Sequence, residues 1–247
     1  MTGIGSIVNS AAIVAGGLVG LAVGSFISKR VQATLVSGMA VGTMFIGAGG
    51  TFSKMLIPVE GGSLEARGAL MLVMSLAIGA VAGELVDIDG KMERFGEWLK
   101  RVSHNERDNK FLDGFVTASL TFCIGAMAIL GALEDGLKGD PSLLYLKSVM
   151  DGIFTIALTA SLGKGVMFSA IPILLFQGSI TLASSLLRPI MTPDVLDAIS
   201  LVGGVLIFCV GWNILWNEKK IRVANLLPAL VVAVVWTLLK GRIWPGK

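Results

Sequence analysis

The sequence predicts an all-α fold, a polytopic bundle of about seven or eight transmembrane helices, on three observations. The chain is 54% hydrophobic and 15% charged, with a mean hydropathy of +0.81, far from the balance found in soluble domains. Its apolar residues come in runs close to the roughly 20 residues a helix needs to cross a bilayer. The short alternating segments and aromatic girdles of a β-barrel are missing from the sequence.

In chain order the apolar runs are Ile4–Ser28, Val31–Met55, Ala66–Val86, Gly114–Leu133, Val149–Leu162, Val166–Leu187, Leu196–Trp216 and Val223–Leu239. The first is not a signal peptide by its flanks. No basic residue precedes it and Lys29-Arg30 follows it, which predicts a retained helix that starts outside the cell. Gly16, Gly20 and Gly24, then Gly38 and Gly42, repeat at four-residue intervals and read as seams where helix backbones approach closely. Two such seams exceed what a small bundle needs internally, so a homo-oligomer is expected. Val149–Leu162 is short for a crossing and runs into Gly163-Lys164-Gly165, which suggests a re-entrant or half-length helix.

Basic residues set the orientation. The only long polar stretch, from Glu84 to Asp113, carries Lys91, Arg94, Lys100, Arg101, Arg107 and Lys110. With Lys29, Arg30, Lys219, Lys220 and Arg222, these place the odd-to-even loops in the cytoplasm and the N-terminus outside. The C-terminus is outside if every run crosses, and inside if Val149–Leu162 does not. Met92, Phe95, Leu99 and Val102 recur at helical spacing between charges, so the connector should be an amphipathic helix on the cytoplasmic surface.

A faint internal symmetry is visible. The stretch beginning at Val31 lies over the stretch beginning at Val195 at an offset of 164 residues, with Gly47 matching Gly211. The preceding runs match loosely through Gly20 and Gly178. On an eight-span count the paired runs point in opposite directions, which is the inverted-repeat arrangement of many secondary transporters. The chain then divides into a first transmembrane repeat (1–86), a cytoplasmic connector (87–113), a core of broken or half helices (114–165) and a second repeat (166–247).

Ionisable groups inside the bilayer are expensive and mark functional candidates. The core holds Thr117, Ser119, Thr121, the helix-weakening Gly125, Glu134, Asp135, Lys147 and Asp151, and the flanking runs add Asn9, Gln177 and Asn213. Lys147 and Asp151 have the i, i+4 spacing that favours pairing. Each has a plainer reading: the carboxylates as helix caps, the amides as interhelical hydrogen-bond donors. One histidine, His104, and two cysteines buried in apolar runs build no metal site, no disulfide framework and no nucleophile–base pair. No cofactor and no enzymatic activity are therefore expected. The net charge of +3 sits at span ends rather than in a stripe, which argues against nucleic acid as a partner.

Gly3, Asn9, Gly83-Glu84, Phe122-Cys123-Ile124-Gly125, Leu130-Gly131, Glu134-Asp135-Gly136, Lys147-Ser148, Asp151-Gly152, Gln177-Gly178 and Asn225 together resemble the YqgA/YdfK-type family of bacterial membrane proteins, domain of unknown function 554. The resemblance runs nearly the whole chain and implies a bacterial inner-membrane protein concerned with transport, without a substrate. In one place the chain departs from the pattern: a proline is expected after Cys123-Ile124-Gly125, and Ala126 stands there. Its loss returns a backbone donor and makes the helix less obligatorily broken.

The preferred reading is a secondary transporter of a small solute or ion, with broken helices and carboxylates forming a midplane site. An oligomeric channel and a non-transporting scaffold or sensor remain the alternatives. The orientation is directly testable: a cysteine placed between Lys100 and Lys110 should resist a membrane-impermeant thiol reagent in intact cells. Labelling from outside reverses every side assignment.

Overall fold

The computed structural model describes residues 2–58, 62–216 and 220–243, with backbone alone at 241–243. Lys219, one of the basic residues used for orientation, lies outside them. Among the described residues seven helical stretches are long and apolar enough to cross a membrane, and one bent pair, taken as one span, makes an eighth. The fold is thus an all-α polytopic bundle. Only one short antiparallel hairpin is present among the described residues, β1 (Leu56–Pro58) paired with β2 (Leu64–Ala66). It shortens the third span relative to its sequence reading, so that α3 begins at Ala69.

The first half of the chain forms α1 (Ile4–Phe26), α2 (Lys29–Met55), α3 (Ala69–Val86) and α4 (Ile88–Val102). Ser28 opens α2 by accepting a bond from Val31 N on its side chain. Asp87 does the same for α4 through Gly90 N. Helix α4 is the amphipathic connector: Leu99 is buried against Phe111 and Phe115, while Trp98 and Val102 face outward. Val102 therefore lies off the packed stripe on which its spacing had placed it.

The predicted span Gly114–Leu133 is two helices, α5 (Phe111–Cys123) and α6 (Ala126–Lys138), bent by 63° at the break between them. Alanine at position 126 does not heal the break. Gly125 takes φ +140°, a backbone conformation that L side chains rarely adopt, and Ile124 is extended. The pair still crosses the bundle once. Gly114 at the start of α5 packs on Leu162 and Val166, whereas Asp135 near the end of α6 binds the opposite end of the molecule, at Gly3 and Gly5.

The sequence expectation of a half-length helix at Val149–Leu162 is overturned. Helix α7 runs from Ser142 to Leu162, 21 residues, enough at about 1.5 Å per residue to span an apolar core of about 30 Å. Lys147 and Asp151 lowered the apparent apolarity of its first turns, but they neutralise each other inside the helix instead of ending it. Gly163, at φ +82°, is then a turn between two crossings and not a break within one. The chain returns through α8 (Gly165–Phe168), α9 (Ala170–Leu182) and α10 (Ser184–Leu187), then α11 (Pro193–Leu215), α12 (Val223–Leu226) and α13 (Pro228–Ile243). Thr192 caps α11 through Val195 N, with proline in its first turn.

Close backbone approaches fix how the spans pair. Helices α1 and α7 run parallel, with Gly16 on Gly152, Gly20 on Ile156 and Gly24 on Ala160. Helices α2 and α11 run antiparallel: Ala40 meets Gly211, Gly47 meets Gly204, Thr51 donates to Leu201 O at 3.1 Å and Lys54 pairs with Asp197 at 2.7 Å. Helix α3 lies antiparallel to α12 and α13, with Gly83 on Asn225 of α12 and Gly79 on Ala229 of α13. These directions bring the start of α1 and the end of α13 to one face of the bundle, opposite the face that carries α4.

The first glycine seam is therefore filled by α7 of the same chain, which removes it as an argument for a homo-oligomer. Gly38 and Gly42 on α2 meet nothing within 4 Å. The contrast sets a test. A Cβ at Gly20 would lie 2.5 Å from Ile156 O and 2.8 Å from Thr159 Cβ, so Gly20→Leu should cost at least about 3 kcal/mol of stability in mild detergent. Gly38→Ala should change stability by no more than about 1 kcal/mol, in the stabilising direction. A well-folded Gly20→Leu protein contradicts the α1–α7 packing.

Candidate functional site

Lys147 and Asp151 lie one turn apart on α7 and are nearly buried, at 8% and 6% exposure. The Lys147 ammonium reaches both carboxylate oxygens, Oδ1 at 2.9 Å and Oδ2 at 2.8 Å. Asn9 on α1 donates from Nδ2 to Asp151 Oδ2 at 3.1 Å and to Gln177 Oε1 on α9 at 3.3 Å. Asn9 thus joins the carboxylate of α7 to the Gln177 amide of α9, and three spans meet in one hydrogen-bonded cluster. The approach is possible because α1 carries glycine where it faces α7, so no side chain holds the two helices apart.

An isolated charge here would be very costly, and even a paired one must recover its desolvation through good geometry and further hydrogen bonds. Asp151 has both. Its backbone carbonyl also accepts from Thr155 Oγ1 at 2.6 Å. The ring around it is nevertheless unfinished: Asn9 Oδ1, Gln177 Nε2 and, one turn earlier on α1, Ser6 Oγ are buried without partners. Each such group costs about 1–3 kcal/mol, so three in one neighbourhood call for an explanation in function.

The α5–α6 break adjoins this cluster. Lys147 Nζ lies 6.0 Å from the centroid of the Phe122 ring, which packs edge-on to Phe154 of α7. The last bond of α5 joins Ile124 N to Leu120 O at 3.0 Å. Beyond it the terminal carbonyls of α5 have no helical donors, and α6 starts with its own unpaired N–H groups. On the far side the break meets Gly203 of α11, where a Cβ would lie 3.3 Å from Ile124 Cγ2.

Of the residues predicted from the sequence, the structure brings together Asn9, Lys147, Asp151 and Gln177, with Gly125 at the adjoining break. It places the others elsewhere. Asp135 is fully buried and accepts from Gly3 N at 3.1 Å and Gly5 N at 3.0 Å, capping the start of α1. Glu134 forms an outward pair with Lys138 at 3.1 Å. Asn213 clasps Ile221, donating to its carbonyl at 2.7 Å and accepting from its N–H at 2.8 Å. Thr121 donates back to Thr117 O at 2.7 Å along α5, and Ser119 Oγ is buried without a partner. Thr155, Phe122 and Ser6 were missed by sequence reasoning. Thr155 had a signal, its i+4 spacing from Asp151; Ser6 and Phe122 are tied to the cluster only by tertiary packing.

On the α4 face, ion pairs join Arg222 to Glu84 at 3.0 Å and Lys220 to Asp113, and Asn225 Oδ1 accepts from Asp89 N at 2.8 Å. Burial raises the Asp89 carboxyl above its ordinary range, against the pull of Arg222. Among the described residues there is no group of three or more His, Cys, Asp or Glu that could hold a metal ion.

A sequence profile of the family described as "Protein of unknown function (DUF554)" matches residues 4–238. The chain is 29% identical over 231 residues to the uncharacterized membrane protein YdfK of Bacillus subtilis (strain 168), covering 94% of each chain. It is 28% identical over 242 residues to the uncharacterized protein YqgA of Escherichia coli (strain K12), covering 95% of this chain and 97% of that one. No solved structure matches significantly.

The two buried aspartates should behave differently. Asp135→Ala removes the acceptor for two backbone N–H groups and should cost about 1–2 kcal/mol of thermal stability without altering the affinity of any ligand bound near Asp151. A change in that affinity, with stability kept, would make Asp135 part of the site.

Proposed function

The chain belongs to the DUF554 family of proteins of unknown function, and from that footing we propose that it is a secondary transporter of a small solute or ion across the bacterial inner membrane. The observation that carries this reading is the Lys147–Asp151 pair, buried at the meeting of three spans and bordered by unpartnered polar atoms and a broken helix. A pair serving only to hold helices together needs no open hydrogen-bonding positions and no break beside it. A binding site needs both, since unwound backbone and half-helix ends supply dipoles that a continuous helix keeps to itself.

The α2–α11 crossing supports an inverted repeat. The contacts Gly47–Gly204 and Ala40–Gly211 are exchanged by the 164-residue offset of the sequence, as a two-fold axis through the crossing requires. Spans related in that way can rock about a fixed central site and open it to each side in turn. The basic residues of the α4 face favour a cytoplasmic position for that face, with both ends of the bundle outside. A second copy, where one binds, has the open Gly38–Gly42 face of α2 available.

Gradient-driven, saturable uptake by proteoliposomes tests the reading. Asp151→Asn keeps the shape of the side chain and removes its charge, so it should insert and fold while uptake falls by roughly tenfold or more. Unchanged uptake would rule out Asp151 as part of the pathway. Unitary currents in place of saturable uptake would favour a channel.

A further inference from the structure

Lys147 has a place in this site that a structural salt bridge does not explain. Beside Asp151 the unsatisfied oxygen is an acceptor suited to a cation: Asn9 Oδ1 is fully buried and bears no donor, and one turn earlier on the same helix Ser6 Oγ is also buried and unpartnered. Asn9 reaches Asp151 through its Nδ2, so covalent geometry keeps its free Oδ1 within a few ångströms of the carboxylate. One carboxylate among neutral oxygens suits a monovalent ion. Divalent ions bound by protein groups alone draw on more carboxylates, and Asp151 is the one carboxylate in this hydrogen-bonded cluster. In this structure the single positive charge at that carboxylate is the Lys147 ammonium, held by both oxygens.

We propose that Lys147 is a tethered counter-ion occupying an alkali-cation site made by Asp151 and Asn9 Oδ1, and that an incoming sodium or potassium ion displaces it. This rests on the transport reading and names the cation for the same site. The displaced ammonium has a place to go. The Phe122 ring is already 6.0 Å from Nζ, within the range of a cation–π contact. The free carbonyls at the C-terminal end of α5 follow directly after it, at the negative end of the helix dipole. Exchange at the carboxylate would therefore pull or release the α5–α6 break, so that cation occupancy and the shape of the broken span are linked. Gln177 Nε2, an unpartnered donor, takes no part in holding a cation and is free for a solute group that accepts a hydrogen bond.

The charged and titratable neighbours of Asp151 are few. Lys147 lies on its own helix, Cys123 lies on α5, and α1 and α9 present only the neutral Asn9 and Gln177. Removing the tether should thus expose the site to ions from solution. Purified Lys147→Met in detergent should melt on the order of 5 °C higher in saturating sodium or potassium chloride than in choline chloride. Wild type should show a much smaller difference, because its own ammonium competes. Lys147→Met/Asp151→Asn should show none.

Should Lys147→Met survive extraction only in sodium or potassium, that rescue is the same result in stronger form. An equal melting temperature in all three salts, failure to fold in all three, or a salt effect that persists in the double variant overturns the proposal. The measurement needs no gradient, so it separates the two readings. A cation effect without uptake refutes transport and leaves the cation site; uptake without a cation effect leaves transport and refutes the tether.

Discussion

The Lys147–Asp151 pair constrains the rest of the bundle, because neither charge can be left alone in an apolar interior. Pairing within one helix keeps α7 continuous through its polar turns. Asn9 must then reach the carboxylate from α1, and it reaches only because α1 presents glycine to α7 over three successive turns. The same parallel packing carries the start of α1 to the end of α6, where Asp135 satisfies the first N–H groups of α1. One costly pair, one glycine seam and one cap thus support each other across three spans and the broken fourth.

The bundle spends backbone irregularity unevenly. Helices α2 and α3, whose outer faces expose residues such as Phe45, Val73 and Ile78, are unbroken, as a lipid-facing surface requires. The break at Ile124–Gly125 has α7 on one side and α11 on the other, with Ile124 buried and open space beside Gly125. Unwound backbone at membrane depth is tolerated where it is enclosed or lines a cavity.

The membrane class, most span positions, the amphipathic connector and four of the convergent side chains were legible in the sequence, because composition, periodicity and buried polarity are local properties. Gly125 was legible too, though the substitution of alanine for proline at 126 pointed the wrong way; the glycine's own backbone conformation decides the break. Helix α7 was read too short because hydropathy counts Lys147 and Asp151 as two costs, while the folded helix makes them one neutral pair. Asp135 was read as a site residue because its true partners, Gly3 and Gly5, lie 132 and 130 residues away. The glycine seam of α1 was legible as a seam, but the helix that fills it was not: a small-residue face does not say whether its partner is in the same chain.

Whether the charge pair exists for translocation or for architecture is decided most directly by replacing it whole. A buried ion pair exchanged for apolar residues of similar size often leaves stability unchanged or higher. Lys147→Met/Asp151→Leu should therefore fold, and its proteoliposomes on a solid-supported membrane should give no current on an ion jump that drives current through wild type. Currents equal to wild type from the doubly apolar protein would contradict a role for this pair in moving charge.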